Sequence, residues 1–186
     1  MAQIHNPLPV KLFVGVLTSI PDIAAPVEER LSALFGPIDS RSEPFPFDRT
    51  NYYDETMGNP LTRRFISFSN LIEPSAISDI KIATNELEAA FASERTYVQR
   101  PVNLDPGYVE QSKIVLASTK NFYHRILISD GIYAEVTLHF EGGEWRVFPW
   151  TFPDFKTGRY HQFFSELRDS YRIQLSAMGV RIRSKP

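Results

Sequence analysis

A chain of 186 residues, 42% hydrophobic and 13% aromatic, can bury one sizeable core, which predicts a single domain over residues 1–186, ordered from about residue 10 to 178. With 20 Lys+Arg against 22 Asp+Glu there is no global positive field of the kind that drives sequence-independent nucleic-acid binding. The absence of cysteine excludes disulfides, thiolate catalysis and cysteine-based metal centres, and it accords with a reducing compartment.

The N-terminal MAQIHNPLPV has neither a positive n-region nor a long apolar stretch, and no apolar run approaches the roughly 20 residues of a bilayer span. A soluble cytoplasmic protein without a membrane partner is expected. KLFVGVLTS then has the length and β-rich composition of a buried strand. In PVEERLSALFGP the apolar Val27, Leu31, Leu34 and Phe35 share a helical face. Pro26 suits a helix start, Glu28 and Glu29 suit its dipole, and Gly36-Pro37 ends it.

The two prolines of IDSRSEPFPF confine it to an edge strand. DRTNYYDETMGNP is predicted as a polar, aromatic connection, and LTRRFISFSNLI as a second apolar strand. From Pro74 to about Ser93, Ile77, Ile80, Ala83, Leu87, Ala90 and Phe91 mark a buried helical face, with Asp79, Lys81, Asn85, Glu86 and Glu88 elsewhere. RPVNLDPGYV reads as a closing strand or strand end, with Asp105-Pro106-Gly107 as a turn. The order β, α, β, β, α, β predicts an α+β fold whose first half is a ferredoxin-like split βαβ sheet with both helices on one face.

In the second half SKIVLASTKN is expected as a short helix or an extended segment. HRILISD, GIYAEVTLHF and EWRVFPW follow as strands of an antiparallel meander, joined by hairpin turns at Asp130-Gly131 and Gly142-Gly143. A C-terminal helix from about Gly158 to Met178 carries Tyr160, Phe163, Phe164, Leu167, Tyr171 and Leu175 on one stripe. The tail VRIRSKP is short, basic and expected to be mobile.

No G-x-x-x-x-G-K-[ST] and no G-x-G-x-x-G occurs, so neither a P-loop nor a Rossmann phosphate cradle is present. ILISDGIYAE is superficially like the K-x-D-G of covalent nucleotidyltransferases, but Ile128 stands where the nucleophilic lysine belongs. His5, His124, His139 and His161 lack metal-ligand spacing. His124 remains of interest because it starts a strand beside Arg125.

Carboxylates are more suggestive. Along GIYAEVTLHF, Ile132, Ala134, Val136 and Leu138 fall on one face and Tyr133, Glu135, Thr137 and His139 on the other. Glu135 there could ligate a hard cation, act as a base, or simply pair across strands with Arg125 or Arg146. Glu55 and Asp154 are further acidic candidates, and Arg63, Arg64, Arg100, Lys113, Lys120 and Arg125 are cations at predicted strand ends. PWTFPDF is a stiff aromatic segment able to wall a pocket or cap the core.

KLFVGVLTS, TNYYDETMG, RPVNLDPGYV with KIVLASTKNFYHRI, DGIYAEVTL and WTFPDF together resemble a family of uncharacterised prokaryotic proteins built on a domain of unknown function, from about Lys11 to Tyr171. Some members carry the label GTP-binding protein. The resemblance implies no catalytic residues that could be carried over.

Two readings follow, with a third behind them. In the first, an anionic or phosphorylated small molecule, with or without a divalent cation, binds where the two halves meet. Asn103, Asp105, Tyr108 and Glu135 serve as polar orienters, with Asp105 and Glu135 as metal or base candidates, and Lys113, Lys120, His124 and Arg125 contact the anion. In the second, the chain is a non-catalytic interaction module or homodimer that buries Tyr52, Tyr53 and Trp150. Third is single-stranded nucleic-acid binding on an aromatic sheet face, which the near-neutral charge disfavours.

Overall fold

A computed structural model describes residues 3–50, 52–94 and 98–180. Its strands are β1 (Val10–Thr18), β2 (Ile38–Arg41), β3 (Phe45–Pro46), β4 (Thr62–Ile72), β5 (Asn103–Val109), β6 (Lys113–Ser118), β7 (Ile126–Ser129), β8 (Ile132–Glu141) and β9 (Glu144–Val147). The helices are α1 (Ala24–Phe35), α2 (Asp54–Met57), α3 (Ile77–Glu94) and α4 (His161–Ala177). All strands join one antiparallel sheet in the order β2-β4-β1-β5-β6-β8-β7, with β3 also on β4 and β9 also on β8. The fold is α+β. No helix among the described residues is long and apolar enough to cross a membrane.

The central strand β1 is buried along its whole length, so its alternating side chains feed two cores. Val10, Leu12, Val14 and Val16 point to the face covered by α1 and α3, where Val27, Leu31, Ile77, Ile80, Leu87 and Phe91 meet them. Phe13 points the other way, into an aromatic core with Phe65, Phe155, Tyr160, Phe163 and Phe164, and α4 covers that face. All six residues of the predicted α4 stripe are buried. Leu17, Phe47, Met57 and Leu61 form a smaller core under the 47–61 connection.

Several elements differ from the sequence expectation. IDSRSEPFPF makes two short strands on β4 rather than one. The connection after it contains α2, and α1 begins before Pro26 and leaves Leu34 half exposed. SKIVLASTKN takes the extended of its two expected forms, as β6, but the second half is not a simple meander: β6 pairs with β8, while β7 and β9 share the opposite edge of β8. The long β6–β8 ladder buries more than the four-residue β7 can, so the chain crosses to the far side before β7 begins. The two hairpin turns stand as expected, with positive φ at Asp130, Gly131, Gly142 and Gly143.

A slip of the β6–β8 register opposite Val136–Leu138 breaks the expected alternation of β8. Leu138 consequently turns into the aromatic core rather than joining Ile132, Ala134 and Val136. The last six residues of the VRIRSKP tail lie outside the described residues.

A candidate anion site where two strands part

Asp105-Pro106-Gly107 is not a turn; it runs straight through the middle of β5. Gly107 is required by crowding instead of by a turn, because a Cβ there would sit 2.4 Å from the Val115 carbonyl oxygen and 2.7 Å from the Phe13 ring. Toward β1 the strand is paired from Asn103 to Val109, but toward β6 only Gly107, Tyr108 and Val109 are paired. The even-numbered residues of β5 turn their backbone groups toward β6: the Leu104 amide and carbonyl, for example, bond on that side. Continuing the Tyr108–Val115 register would set Pro106 against Ala117, where proline has no N–H to donate. The ladder ends there, and the strands part.

Helix α3 fills in for the missing strand. Glu88 accepts from the Leu104 amide at 2.7 Å and Lys81 donates to the Leu104 carbonyl at 2.7 Å, satisfying backbone groups that would otherwise be buried unpaired. Arg100 donates to Glu88 at 2.6 Å and also to Asn103 Oδ1. Burial raises the Glu88 pKa, against the lowering pull of Lys81, the Leu104 amide and Arg100.

The gap between β5 and β6 is a cavity of about 390 Å³. Its walls are Phe47, Tyr52 and Tyr53 from the 47–61 connection, Leu116, Ala117 and Ser118 from β6, and Phe152, Pro153 and Phe155 from the PWTFPDF segment. Arg49, Arg63, Lys81, Arg100, Lys120 and Arg125 line it, against Asp105, Glu135 and Asp154, which makes six basic groups to three acidic ones.

Three ion-pair groups organise these charges. Asp105 Oδ2 accepts from Arg63 at 2.7 Å and from Asn103 at 2.8 Å, while its Oδ1 faces Lys81 across 4.0 Å. Burial works to raise the Asp105 pKa, but Arg63 and Lys81, with the Arg63 and Asn103 hydrogen bonds, outweigh it and hold the carboxyl below its ordinary value. Asp154 accepts from the Tyr160 hydroxyl at 3.2 Å and lies 3.9 Å from Arg63 Nε, which is buried with no hydrogen-bond partner among the described residues. Tyr53 is pushed up to about 12, by burial first and then by the Asp105 charge.

Glu135 is 3% exposed and accepts from Arg125 at 2.8 Å, from Thr137 at 3.1 Å, and lies 3.1 Å from His124 Nε2. Lys120 is exposed at the rim and donates to the Tyr52 hydroxyl at 2.9 Å; no carboxylate among the described residues pairs with it.

Of the residues predicted for a site, Asn103, Asp105, Lys120, Arg125 and Glu135 line this cavity. Tyr108 does not, because alternation along β5 turns it to the α1–α3 core. Lys113 is at the far end of β6, paired with Glu110 at 2.8 Å. His124 lies behind Glu135, stacked on Trp150 at 5.4 Å, and does not line the cavity. Glu135 pairs with Arg125, whereas Arg146 pairs with its neighbour Glu144. Asp105 and Glu135 are each bonded to a guanidinium, and no group of three or more His, Asp or Glu side chains among the described residues could hold a metal ion.

Lys81 and Asn85 lie off the apolar stripe of α3, as the sequence predicts, yet Lys81 is 5% exposed and both line the cavity. A signal was present, since Ile77, Lys81, Thr84 and Glu88 fall on one face at helical spacing.

No curated protein and no solved structure matches the chain. A family model matches residues 8–171, and the chain therefore belongs to the family described as Domain of unknown function (DUF4416).

Proposed function

We propose that the protein binds an anionic or phosphorylated small molecule in the cavity between β5 and β6. One observation carries this reading: of the six lining cations, Arg63, Lys81, Arg100 and Arg125 are matched by Asp105, Asp154, Glu88 and Glu135, whereas Lys120 stands at the rim beside Arg49 with only a phenol as partner. An incoming anion brings the charge that this surplus lacks, inside walls that limit screening by water. We also infer that β1, β2, β4 and β5 with α1 and α3 are a ferredoxin-like split βαβ unit. Support for this comes from the order β2-β4-β1-β5 and from both helices packing on one face.

The test is a thermal-shift series with orthophosphate and phosphorylated metabolites on the wild type and Lys120→Ala. A ligand that binds only the native state raises Tm by mass action, and 100 times its Kd adds about 2.7 kcal/mol. The expected result is a saturable rise that Lys120→Ala removes. No rise with any anion, or a rise unchanged in Lys120→Ala, defeats the reading.

A homodimer has a separate observation in its favour. Edge strand β7 leaves Ile126 75%, Leu127 57% and Ile128 38% exposed, next to exposed Phe122 and Tyr123. A second copy pairing antiparallel along this edge would set the Asp130 end of each strand beside the Arg125 end of the other. Light scattering on wild type and Ile126→Lys distinguishes it: a dimer is expected that the variant dissociates, and a monomeric wild type rejects it. The earlier dimer surface is divided, since Tyr52 is exposed while Tyr53 and Trp150 are half-buried within their own chain.

A further inference from the structure

The cavity is graded in charge from floor to rim. Its deep groups are Arg63, Lys81 and Arg125 against Asp105, Glu135 and Asp154, three of each sign. Arg100, the sixth lining cation, is half-buried and held by Glu88 at 2.6 Å; the exposed cations are Lys120 and Arg49, and Arg49 has only the neighbouring Asp48 at 3.5 Å. A charged group pushed to the floor would be desolvated without gaining a net counter-charge, whereas the same group at the rim would meet two cations and keep part of its hydration.

The floor still has hydrogen-bonding capacity of both kinds. Arg63 Nε is a buried donor without a partner, and Asp105 Oδ1 faces Lys81 beyond hydrogen-bond length. Asn85 brings an amide from α3 that has no side-chain partner among the described residues, adding both a donor and an acceptor. A hydroxyl donates and accepts at once, so a polyol can satisfy all three. The rings of Phe47, Tyr53, Phe152 and Phe155 offer flat apolar walls for its C–H edges.

Resting on the anion reading above, we infer that the ligand is a monophosphorylated polyol of sugar-phosphate size, bound with its phosphate at Lys120 and Arg49 and its hydroxyls on the Arg63, Asp105 and Asn85 floor. A di- or triphosphate would have more charge than the rim holds. The cavity of about 390 Å³ falls at the small end of ligand sites, which run to roughly 1,000 Å³.

Calorimetry and thermal shift with glucose 6-phosphate, ribose 5-phosphate, glycerol 3-phosphate, free glucose, orthophosphate and ATP test this. At least one sugar or polyol phosphate is expected to bind tenfold or more tightly than orthophosphate and more tightly than ATP, with no binding of glucose. Lys120→Ala should weaken every phosphate. Asn85→Ala, a part-exposed helix position that should fold normally, should weaken the polyol phosphate several-fold and leave orthophosphate unchanged. Asp105→Asn should do the same, with circular dichroism as the check on folding. If orthophosphate binds through Lys120 but no polyol phosphate exceeds it, or ATP exceeds them all, this inference falls and the anion site stands. If no phosphate binds, or Lys120→Ala changes nothing, the anion site itself falls and takes this inference with it.

Discussion

The face of the sheet opposite α1 and α3 is built in two ways. Under α4 it is dry and aromatic: Phe65 meets Tyr160 at 4.8 Å, Phe164 at 5.0 Å and Phe163 at 5.8 Å. A few residues along the strands, Phe65 gives way to Arg63, Gly107 to Asp105 and Leu116 to Ser118, and the packed core becomes a charged cavity. The difference shows that one sheet can keep a rigid half and a hollow half when the ladder between two strands is stopped by a proline and its loose backbone groups are taken up by a helix. The first half is packed with rings, and the second is hollow and lined with charge.

The sharpest way to break the contrast is to hollow the packed half. Phe164→Ala removes a fully buried ring that touches Phe13, Phe65 and Phe155, and it should cost about 3–5 kcal/mol, read as a large drop in Tm or urea midpoint. Next comes the boundary. Gly107→Ala forces a Cβ into the Val115 carbonyl at 2.4 Å, a backbone atom that cannot rotate away, and should cost about 1–3 kcal/mol. Faster amide exchange at Tyr108 and Val115 should accompany it, because that pair adjoins Gly107–Leu116, the last pair before the split. Unchanged stability in either variant would mean that the two halves are not as different as their packing implies.

The rigid half was legible in the sequence, and the hollow half only in pieces. The α4 stripe from Tyr160 to Leu175 and the buried run of β1 follow from periodicity, which is local. Gly107 could not be read correctly that way. Its need for a missing Cβ comes from Val115, Phe13 and Leu116 in other strands, and proline followed by glycine has the composition of a turn. The apolar stripe of α3 says only that Lys81 and Glu88 lie off it; their partner is the Leu104 backbone, left over by a ladder that stops early. Asp105 was picked out as a polar group in a strand-like stretch, and whether it capped its own turn or faced a site depended on Arg63, 42 residues away. The order β6-β8-β7 was likewise hidden, since strand pairing depends on non-local burial.

The smallest effect should come from the charge network that keeps the cavity polar. Asp105→Asn removes the anion that Arg63 bonds at 2.7 Å but keeps the side chain's shape, so it should cost about 1.5 kcal/mol at neutral pH, the low end for a hydrogen bond between charged groups. The cost should depend on pH in a definite sense. The Asp105 pKa in the folded chain lies below the ordinary 3.8, so its contribution is present above pH 3.8 and is lost as pH falls through the folded value. The wild type and Asp105→Asn should therefore differ most near neutrality and converge below pH 3.8, a convergence that Tm measurements from pH 3 to 7 can follow. A gap that stays constant over that range would show that Asp105 acts through its shape and neutral hydrogen bonds, and not through its charge.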